Sequence, residues 1–134
     1  MDERRAWEAQ RVPTESVEQQ CLFRWAALSV GKYPEVALLY HIPNGGSRGK
    51  AEAGRFKAEG VKSGVPDICL PVARGEYHGL YIELKRRKGG RLSVNQRIWI
   101  DELRRQGYCA TVCNGWEQAV AVIVAYLEGR TCKA

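Results

Sequence analysis

Gly64-Val65-Pro66-Asp67-Ile68-Cys69-Leu70 and, a short segment later, Leu80-Tyr81-Ile82-Glu83-Leu84-Lys85 are the two stretches that decide the fold of this chain. Each has the apolar character of a short buried strand, but Asp67 opens the first, and Glu83 and Lys85 interrupt the second. Side chains alternate between the two faces of a strand, so Glu83 and Lys85 share a face. A buried charge is costly unless it is paired or binds a metal. Two carboxylates and a lysine from neighbouring strands therefore form a candidate active site.

Further helices and strands are predicted before and after these two strands in the sequence. The turn-rich segment 73–78 is short, which indicates that the two strands are antiparallel neighbours. Further strands are predicted at residues 36–42 and 108–112, and the first is apolar enough to predict burial inside the sheet. Helices are predicted over residues 14–31, 50–59, 93–107 and 114–129. This order predicts an α/β fold, a mixed four-stranded sheet flanked by helices.

The length and composition are those of one globular domain. The 134 residues are 45% hydrophobic and 27% charged, and no linker or repeat divides them. We expect a flexible N-terminal arm over residues 1–13, a domain over residues 14–129 and a tail over residues 130–134. No apolar run reaches the roughly 20 residues that a membrane-spanning helix needs. The odd number of cysteines, five, and the lack of a secretory leader predict free thiols in a reducing cytoplasm.

The chain carries a net charge of +6, and its basic residues are clustered. One cluster comprises Arg48, Lys50, Arg55, Lys57 and Lys62, and the other comprises Lys85, Arg86, Arg87, Lys88 and Arg91. A basic surface beside carboxylates suits a polyanionic substrate such as nucleic acid, although charge alone favours a solvated face that keeps the protein soluble. The glycine-rich loop over residues 44–49 is either a phosphate-contacting surface or an ordinary connection.

The carboxylates have the chemistry of a divalent-cation site. A hard cation prefers oxygen ligands, and Asp67, Glu83 and the backbone carbonyl of Leu84 supply three if the strands pair. Lys85 would lie on the same side, where it could orient a water, deprotonate it or neutralise developing charge, and the residues alone do not choose among these roles. The alternative is an ion pair of Lys85 with Glu83 or Asp67 that holds the strand register.

An ordered set of short segments points to a known family. The strands contribute Gly64-Val65-Pro66-Asp67-Ile68 and Gly79-Leu80-Tyr81-Ile82-Glu83-Leu84-Lys85, and the other segments are Glu18-Gln19, Ile42-Pro43-Asn44-Gly45-Gly46, Leu92-Ser93-Val94-Asn95-Gln96-Arg97 with Trp99, and Gly107-Tyr108. In this order they resemble the PD-(D/E)xK nuclease superfamily, and within it the virus-type replication-repair nuclease (VRR-NUC) branch. The resemblance covers residues 15–128, nearly the whole chain.

The resemblance implies a restriction-endonuclease-like αβββαβ core and a magnesium- or manganese-dependent phosphodiesterase. Asp67 and Glu83 would be metal ligands, and Lys85 the catalytic lysine. Glu18 would approach the metal from the first helix, often through water, unless it only stabilises the helix dipole. Gln96 would lie near the site on the following helix, unless it is the capping-box partner of Ser93. We expect these two roles of Gln96 to compete, because one side-chain amide would have to serve both.

The resemblance also implies a structure-selective DNA endonuclease of DNA repair, of the free-standing phage type, since the chain has no room for a second domain. Such members resemble Holliday (four-way) junction resolvases, which act as homodimers on branched DNA and need no nucleotide cofactor. The residues expected to contact DNA are Asn44, Arg48, Lys50, Arg86, Arg87, Lys88 and Arg91. Two alternative functions are compatible with the sequence. One is a flap, single-strand or duplex nuclease of the same chemistry, and the other is a nucleic-acid-binding module whose carboxylates are structural.

Overall fold

A computed structural model of the chain describes residue 3, residues 12–43 and residues 50–130. Most of the predicted arm and tail lies outside these ranges, as do Asn44 and Arg48 of the glycine-rich loop. The described elements are α1 (Glu15–Ser29), a 3-10 helix (Pro34–Leu38), β1 (Tyr40–His41), α2 (Lys50–Ala58), β2 (Ile68–Leu70), β3 (Leu80–Lys85), α3 (Val94–Arg105), β4 (Cys109–Asn114) and α4 (Trp116–Leu127).

The four strands form one mixed sheet in the order β1-β2-β3-β4. Strand β2 is antiparallel to both β1 and β3, whereas β3 and β4 are parallel. The predicted antiparallel pairing of the two strands that carry the charges is therefore confirmed, with Ile68 opposite Ile82. The parallel pair β3–β4 is connected through α3, as a crossover between parallel strands requires. The α/β fold with a mixed four-stranded sheet and flanking helices is the predicted one.

The main hydrophobic core lies between one face of the sheet and helices α1 and α4. Strand β3 contributes Leu80, Ile82 and Leu84, all at most 2% exposed, and the helices contribute residues such as Leu22 and Ile123. Complete burial of one such side chain stabilises the fold by about 1.5–3 kcal/mol. Because side chains alternate along β3, the residues between these three project from the opposite face of the sheet. That opposite face carries the charged residues.

The prediction of a buried strand over residues 36–42 is wrong. Pro34 stands in the first turn of a 3-10 helix, and only Tyr40 and His41 pair with β2. Val36 and Leu39 are still buried in the core, at 2% and 8% exposure, but Tyr40 is 47% exposed at the edge of the sheet. A short apolar run has the same composition whether it is a buried strand or a buried helical turn, so its pattern does not separate the two.

The expectation that all cysteines are free thiols is also wrong at one position. Cys21, Cys69 and Cys113 are free, but Cys109 is disulfide-bonded. A count of cysteines does not indicate which of them lie close enough to pair, because disulfide geometry depends on the folded backbone. Within the described ranges, no helix has the length and apolar character needed to cross a membrane.

Candidate active site

The carboxylate of Asp67 is fixed against strand β3. Asp67 directly precedes β2, and its Oδ2 accepts a hydrogen bond of 2.9 Å from the backbone N–H of Leu84. On the other side, the Asp67 carbonyl accepts a 2.6 Å hydrogen bond from the N–H of Ile42, and Nδ1 of His41 lies 2.9 Å from the same oxygen. Contacts from the β1 side and from β3 therefore hold Asp67 beside the charged residues of β3.

Glu83 is the buried carboxylate that the alternation along β3 predicts, with only 1% of its surface exposed. Its Oε1 accepts a 2.9 Å hydrogen bond from Nε2 of Gln96 and lies 3.4 Å from Nζ of Lys85. Its Oε2 is buried and has no hydrogen-bond partner among the described residues. Burial, reinforced by the nearby Asp67 carboxylate, raises the pKa of Glu83 to about 8, while Lys85 opposes that rise.

The unpartnered Oε2 provides a test of whether these residues fit a divalent cation. Leaving a buried acceptor unsatisfied costs about 1–3 kcal/mol, and more when the group is charged. A cation between Asp67 and Glu83 would satisfy that oxygen and offset the repulsion between the two carboxylates. The two side chains offer carboxylate oxygens, the donors that Mg²⁺ and Mn²⁺ prefer. The residues therefore fit the implied metal.

Gln96 performs both of the roles that we expected to compete. Its Oε1 accepts a 2.8 Å hydrogen bond from the backbone N–H of Ser93, and Oγ of Ser93 accepts one of 3.1 Å from the N–H of Gln96, which completes the capping box of α3. The same Oε1 accepts a 3.0 Å hydrogen bond from Nζ of Lys85, while Nε2 donates to Glu83. The expectation of competition was wrong because an amide oxygen has two lone pairs and the amide nitrogen donates separately.

Glu18 is buried, at 0% exposure, but it does not join Asp67 and Glu83. Among the described residues, no three histidine, cysteine, aspartate or glutamate side chains form a group that could hold a metal. The Glu18 carboxylate instead accepts hydrogen bonds from Nε, Nη2 and the backbone N–H of Arg87 at 3.1, 2.9 and 3.2 Å, and one of 3.5 Å from the N–H of Trp116. The hydrogen bonds from Arg87 lower the pKa of Glu18 below its ordinary value, although burial works in the other direction.

The predicted DNA-contacting residues fall into different environments. Arg87 is engaged by Glu18 and also by Glu117, whose Oε2 lies 3.0 Å from Nη2, so its guanidinium is paired within the protein although its side chain is 38% exposed. Nε of Arg86 is buried and has no hydrogen-bond partner among the described residues. Lys50, Lys88 and Arg91 are exposed, and Asn44 and Arg48 lie outside the described residues. The sequence holds no local signal for the Arg87–Glu18 pair, because the two positions are 69 residues apart.

Two glycines beside the site were not assigned a role from the sequence. A Cβ on Gly64, which has φ +94°, would lie 2.6 Å from the backbone carbon of Asn95, so the segment that leads to Asp67 packs directly on the first turn of α3. A Cβ on Gly90 would lie 2.9 Å from Cβ of Lys85. Real contacts this short are essentially absent from proteins, so each glycine permits a close approach of backbone to the site. A glycine-containing loop would be the only sequence signal for either contact.

The chain is similar in sequence and in fold to proteins of one known family. The family model of the VRR-NUC domain matches residues 10–117, a range that includes Glu18, Asp67, Glu83, Lys85 and Gln96. A solved structure named "VRR_NUC domain protein" superposes with a TM-score of 0.75 and 32% sequence identity, over 88% of this chain and 91% of that chain. Among curated proteins, no sequence matches the chain.

Proposed function

The chain belongs to the VRR-NUC family, a family of nucleases, and from that premise we propose that it is a metal-dependent DNA endonuclease that hydrolyses phosphodiester bonds in branched DNA. The observation that carries the proposal is the unpartnered, buried Oε2 of Glu83 beside the Asp67 carboxylate. A divalent cation is the partner that this arrangement lacks, and Mg²⁺ or Mn²⁺ suits its oxygen ligands. Glu83 and Asp67 are then the metal ligands.

The backbone of β3 supports Leu84 as a further ligand. The N–H and C=O of one strand residue point toward the same neighbouring strand. The Leu84 N–H points to Asp67, while the carbonyl of the next residue, Lys85, accepts a hydrogen bond from Gly115 on the opposite side. The Leu84 carbonyl is thus directed to the side of the sheet where Asp67 lies. When bound, the cation supplies an activated water and stabilises charge that develops on the phosphate.

Lys85 acts from within the same cluster. Its ammonium group donates to Oε1 of Gln96 and lies beside Oε1 of Glu83, which accounts for two of its three N–H donors. The third donor is available to orient the attacking water or to bind a phosphate oxygen of the substrate. Gln96 holds both Lys85 and Glu83, so it is a positioning residue. Glu18 positions Arg87 at the end of β3 rather than binding the metal.

The proposed substrate is branched DNA, with the four-way junction as the leading candidate, and the proposed assembly is a homodimer. The net charge of +6 supports a polyanionic substrate. Contacts to phosphates from Arg86, Lys88, Arg91 and Lys50 position DNA without reading its sequence, which suits an enzyme that selects structure. A homodimer would present two sites to the two opposed strands of a junction.

The test is cleavage of a synthetic four-way junction, a flap, a single strand and a linear duplex, with Mg²⁺, Mn²⁺ or EDTA. We expect cation-dependent cleavage of the junction, and its loss in Asp67→Asn and Glu83→Gln. Matched control substitutions at exposed carboxylates of α3, Asp101→Asn and Glu102→Gln, should leave the rate unchanged. Cleavage in EDTA, or cleavage retained by Glu83→Gln, would contradict the assigned site.

The same panel decides between the alternatives. Faster cleavage of the flap or single strand than of the junction would make those DNA structures the preferred substrates. It would leave the proposed metal-dependent hydrolysis unchanged. DNA binding without cleavage under every condition would mean that the carboxylates are structural and the protein is a binding module. The molar mass in solution, measured by light scattering, tests the homodimer separately, and a monomeric mass with and without DNA would overturn it.

A further inference from the structure

Tyrosines form a row on the sheet face that carries Glu83 and Lys85. Tyr40 of β1 is opposite Cys69 of β2, and Cys69 is opposite Tyr81 of β3. Paired residues on adjacent strands project from the same face, so Tyr40 and Tyr81 flank Cys69 there. Tyr81 precedes Glu83 by two residues, which places it on the same face and roughly 7 Å along the strand. The row is thus continuous with the proposed active site.

Tyr108 extends this row toward β4. Its ring meets the ring of Tyr81 edge to face, with centroids 5.3 Å apart and planes at 77°. The imidazole of His78 also packs against the ring of Tyr108, with centroids 5.7 Å apart. A hydrogen bond with the Cys69 thiol raises the pKa of the Tyr40 hydroxyl, so the first member of the row is also held in place. We call Tyr40, Tyr81 and Tyr108 the tyrosine row.

The tyrosine row is accessible, which distinguishes it from the core. Tyr40 is 47% exposed, and Tyr81 and Tyr108 are partly exposed. None of the three belongs to the buried cluster that the described residues form between the sheet and helices α1 and α4. Tyrosine combines a large apolar ring with a polar hydroxyl, so a row of partly exposed rings offers stacking area to a planar ligand.

We propose that the tyrosine row binds unpaired nucleobases of the DNA strand next to the Asp67–Glu83 site. Aromatic side chains beside a basic, backbone-binding surface are the common means by which proteins hold single-stranded nucleic acid without reading its sequence. The position of the row on the face and strand that carry Glu83 argues for this ligand rather than for another planar molecule, because the same strand of DNA would reach both. The inference rests on the proposed nuclease function.

The proposal also gives the enzyme a basis for substrate selection. Bases in a continuous duplex are stacked on each other and paired, so they are not free to stack on protein side chains. Flaps, single-stranded ends and opened branch points present unpaired bases near the scissile phosphate. The tyrosine row therefore favours substrates with an unpaired segment adjoining the cut.

The experiment measures binding in EDTA, where no cleavage occurs. Fluorescence anisotropy would compare a labelled thymidine 12-mer with an abasic 12-mer of the same length and charge, at one salt concentration. Stacking of a single base on an aromatic ring corresponds to a roughly fivefold or greater change in affinity. We expect the abasic strand to bind at least that much more weakly, Tyr40→Ala to show the same loss for the thymidine strand, and Tyr40→Phe to retain affinity. Leu28→Ala, at an exposed position of α1, is the control that should not change it.

A second measurement needs no variant. Photocrosslinking of a strand that contains 5-iodouracil, followed by mass spectrometry, should label peptides that contain Tyr40, Tyr81 or Tyr108. Equal affinity for the abasic and thymidine strands, or crosslinks that fall only elsewhere, would overturn the proposal. Because these assays are independent of chemistry, their failure alongside intact Mg²⁺-dependent cleavage would reject the tyrosine row and leave the nuclease function standing. Base-dependent binding and crosslinks to the tyrosines, without cleavage of any substrate, would support the tyrosine row and reject the nuclease function.

Discussion

The side-chain amide of Gln96 donates a 2.9 Å hydrogen bond to Oε1 of Glu83, although the two residues lie on different elements, helix α3 and strand β3. The oxygen of the same amide accepts from the Ser93 N–H at the helix start and from Lys85 Nζ. The N-terminal turn of α3 is thus coupled directly to the two charged residues of β3. One oxygen of Glu83 is satisfied in this way, whereas the other, Oε2, has no hydrogen-bond partner among the described residues.

Gln96→Ala should reduce activity by about 10- to 100-fold, the usual cost of losing a residue that orients a metal ligand, which is the role proposed for Glu83. The substitution removes a donor to Glu83 and an acceptor for Lys85, so both would lose their fixed orientation. It also removes half of the capping box, and loss of a cap costs about 0.5–2 kcal/mol of stability. Initial rates of DNA cleavage and the free energy of unfolding in urea measure the two effects.

Ser93→Ala is the matched control for Gln96, because it removes the other half of the same capping box. It should cost a similar free energy of unfolding, since Ser93 Oγ accepts from the N–H of Gln96. Its effect on the cleavage rate should be small, because the bonds of Gln96 to Glu83 and Lys85 do not involve Ser93 Oγ. Equal losses of activity in both variants would mean that Gln96 acts only through helix stability.

Addition of Mg²⁺ should raise the melting temperature of the wild-type protein. A ligand that binds only the folded state stabilises it by about 2.7 kcal/mol at a concentration 100 times its dissociation constant. The rise should be absent in Asp67→Asn and present in Asp101→Asn, a substitution of the same type at an exposed residue of α3. Scanning calorimetry with EDTA and with increasing Mg²⁺ measures it, and an unchanged rise in Asp67→Asn would show that the cation binds elsewhere.

Local patterns in the sequence were sufficient for part of this site. The alternation along β3 predicted that Glu83 and Lys85 share a buried face, and the Ser93–Gln96 spacing predicted the capping box, because both depend on neighbours in the chain. The 3-10 helix over Pro34–Leu38 was missed because a short apolar run has no period that separates it from a strand. The Glu18–Arg87 pair was missed because its partners meet only when α1 packs beside the end of β3.

Glu18→Gln should lower the melting temperature markedly at pH 7. Glu18 is fully buried and accepts hydrogen bonds from three donors of Arg87, and such bonds are weaker when the acceptor is a neutral amide rather than a carboxylate. The amide nitrogen of the variant would also leave a donor facing the N–H groups of Arg87 in a buried position. Glu117→Gln is the matched control, since Glu117 contacts the same arginine but its side chain is 55% exposed, and exposed pairs contribute little. Similar decreases in melting temperature for the two substitutions would mean that the burial of Glu18 does not increase its contribution to stability.

The pH dependence of stability should separate wild-type protein from Glu18→Gln. Arg87 lowers the pKa of Glu18 in the folded state, so the stabilisation is fully present above the unfolded pKa of about 4.3 and is lost as the pH falls through the folded value. The wild-type melting temperature should therefore decrease more steeply below about pH 4.3 than that of the variant. Parallel curves over the acid range would show that Glu18 does not titrate with a lowered pKa in the folded protein.

Gly64→Ala should destabilise the protein far more than Gly60→Ala, although both glycines have a positive φ, +94° and +100°. The left-handed conformation costs any other residue about 1–2 kcal/mol, so this contribution is shared. At Gly60 a Cβ meets nothing within 4 Å, whereas at Gly64 it would lie 2.6 Å from the Asn95 backbone, and overpacking adds about 1–3 kcal/mol. Because the clash would push the segment before Asp67 away from α3, Gly64→Ala should also slow cleavage. Urea unfolding and cleavage rates of both variants measure these effects, and equal destabilisation would mean that the segment moves freely relative to α3.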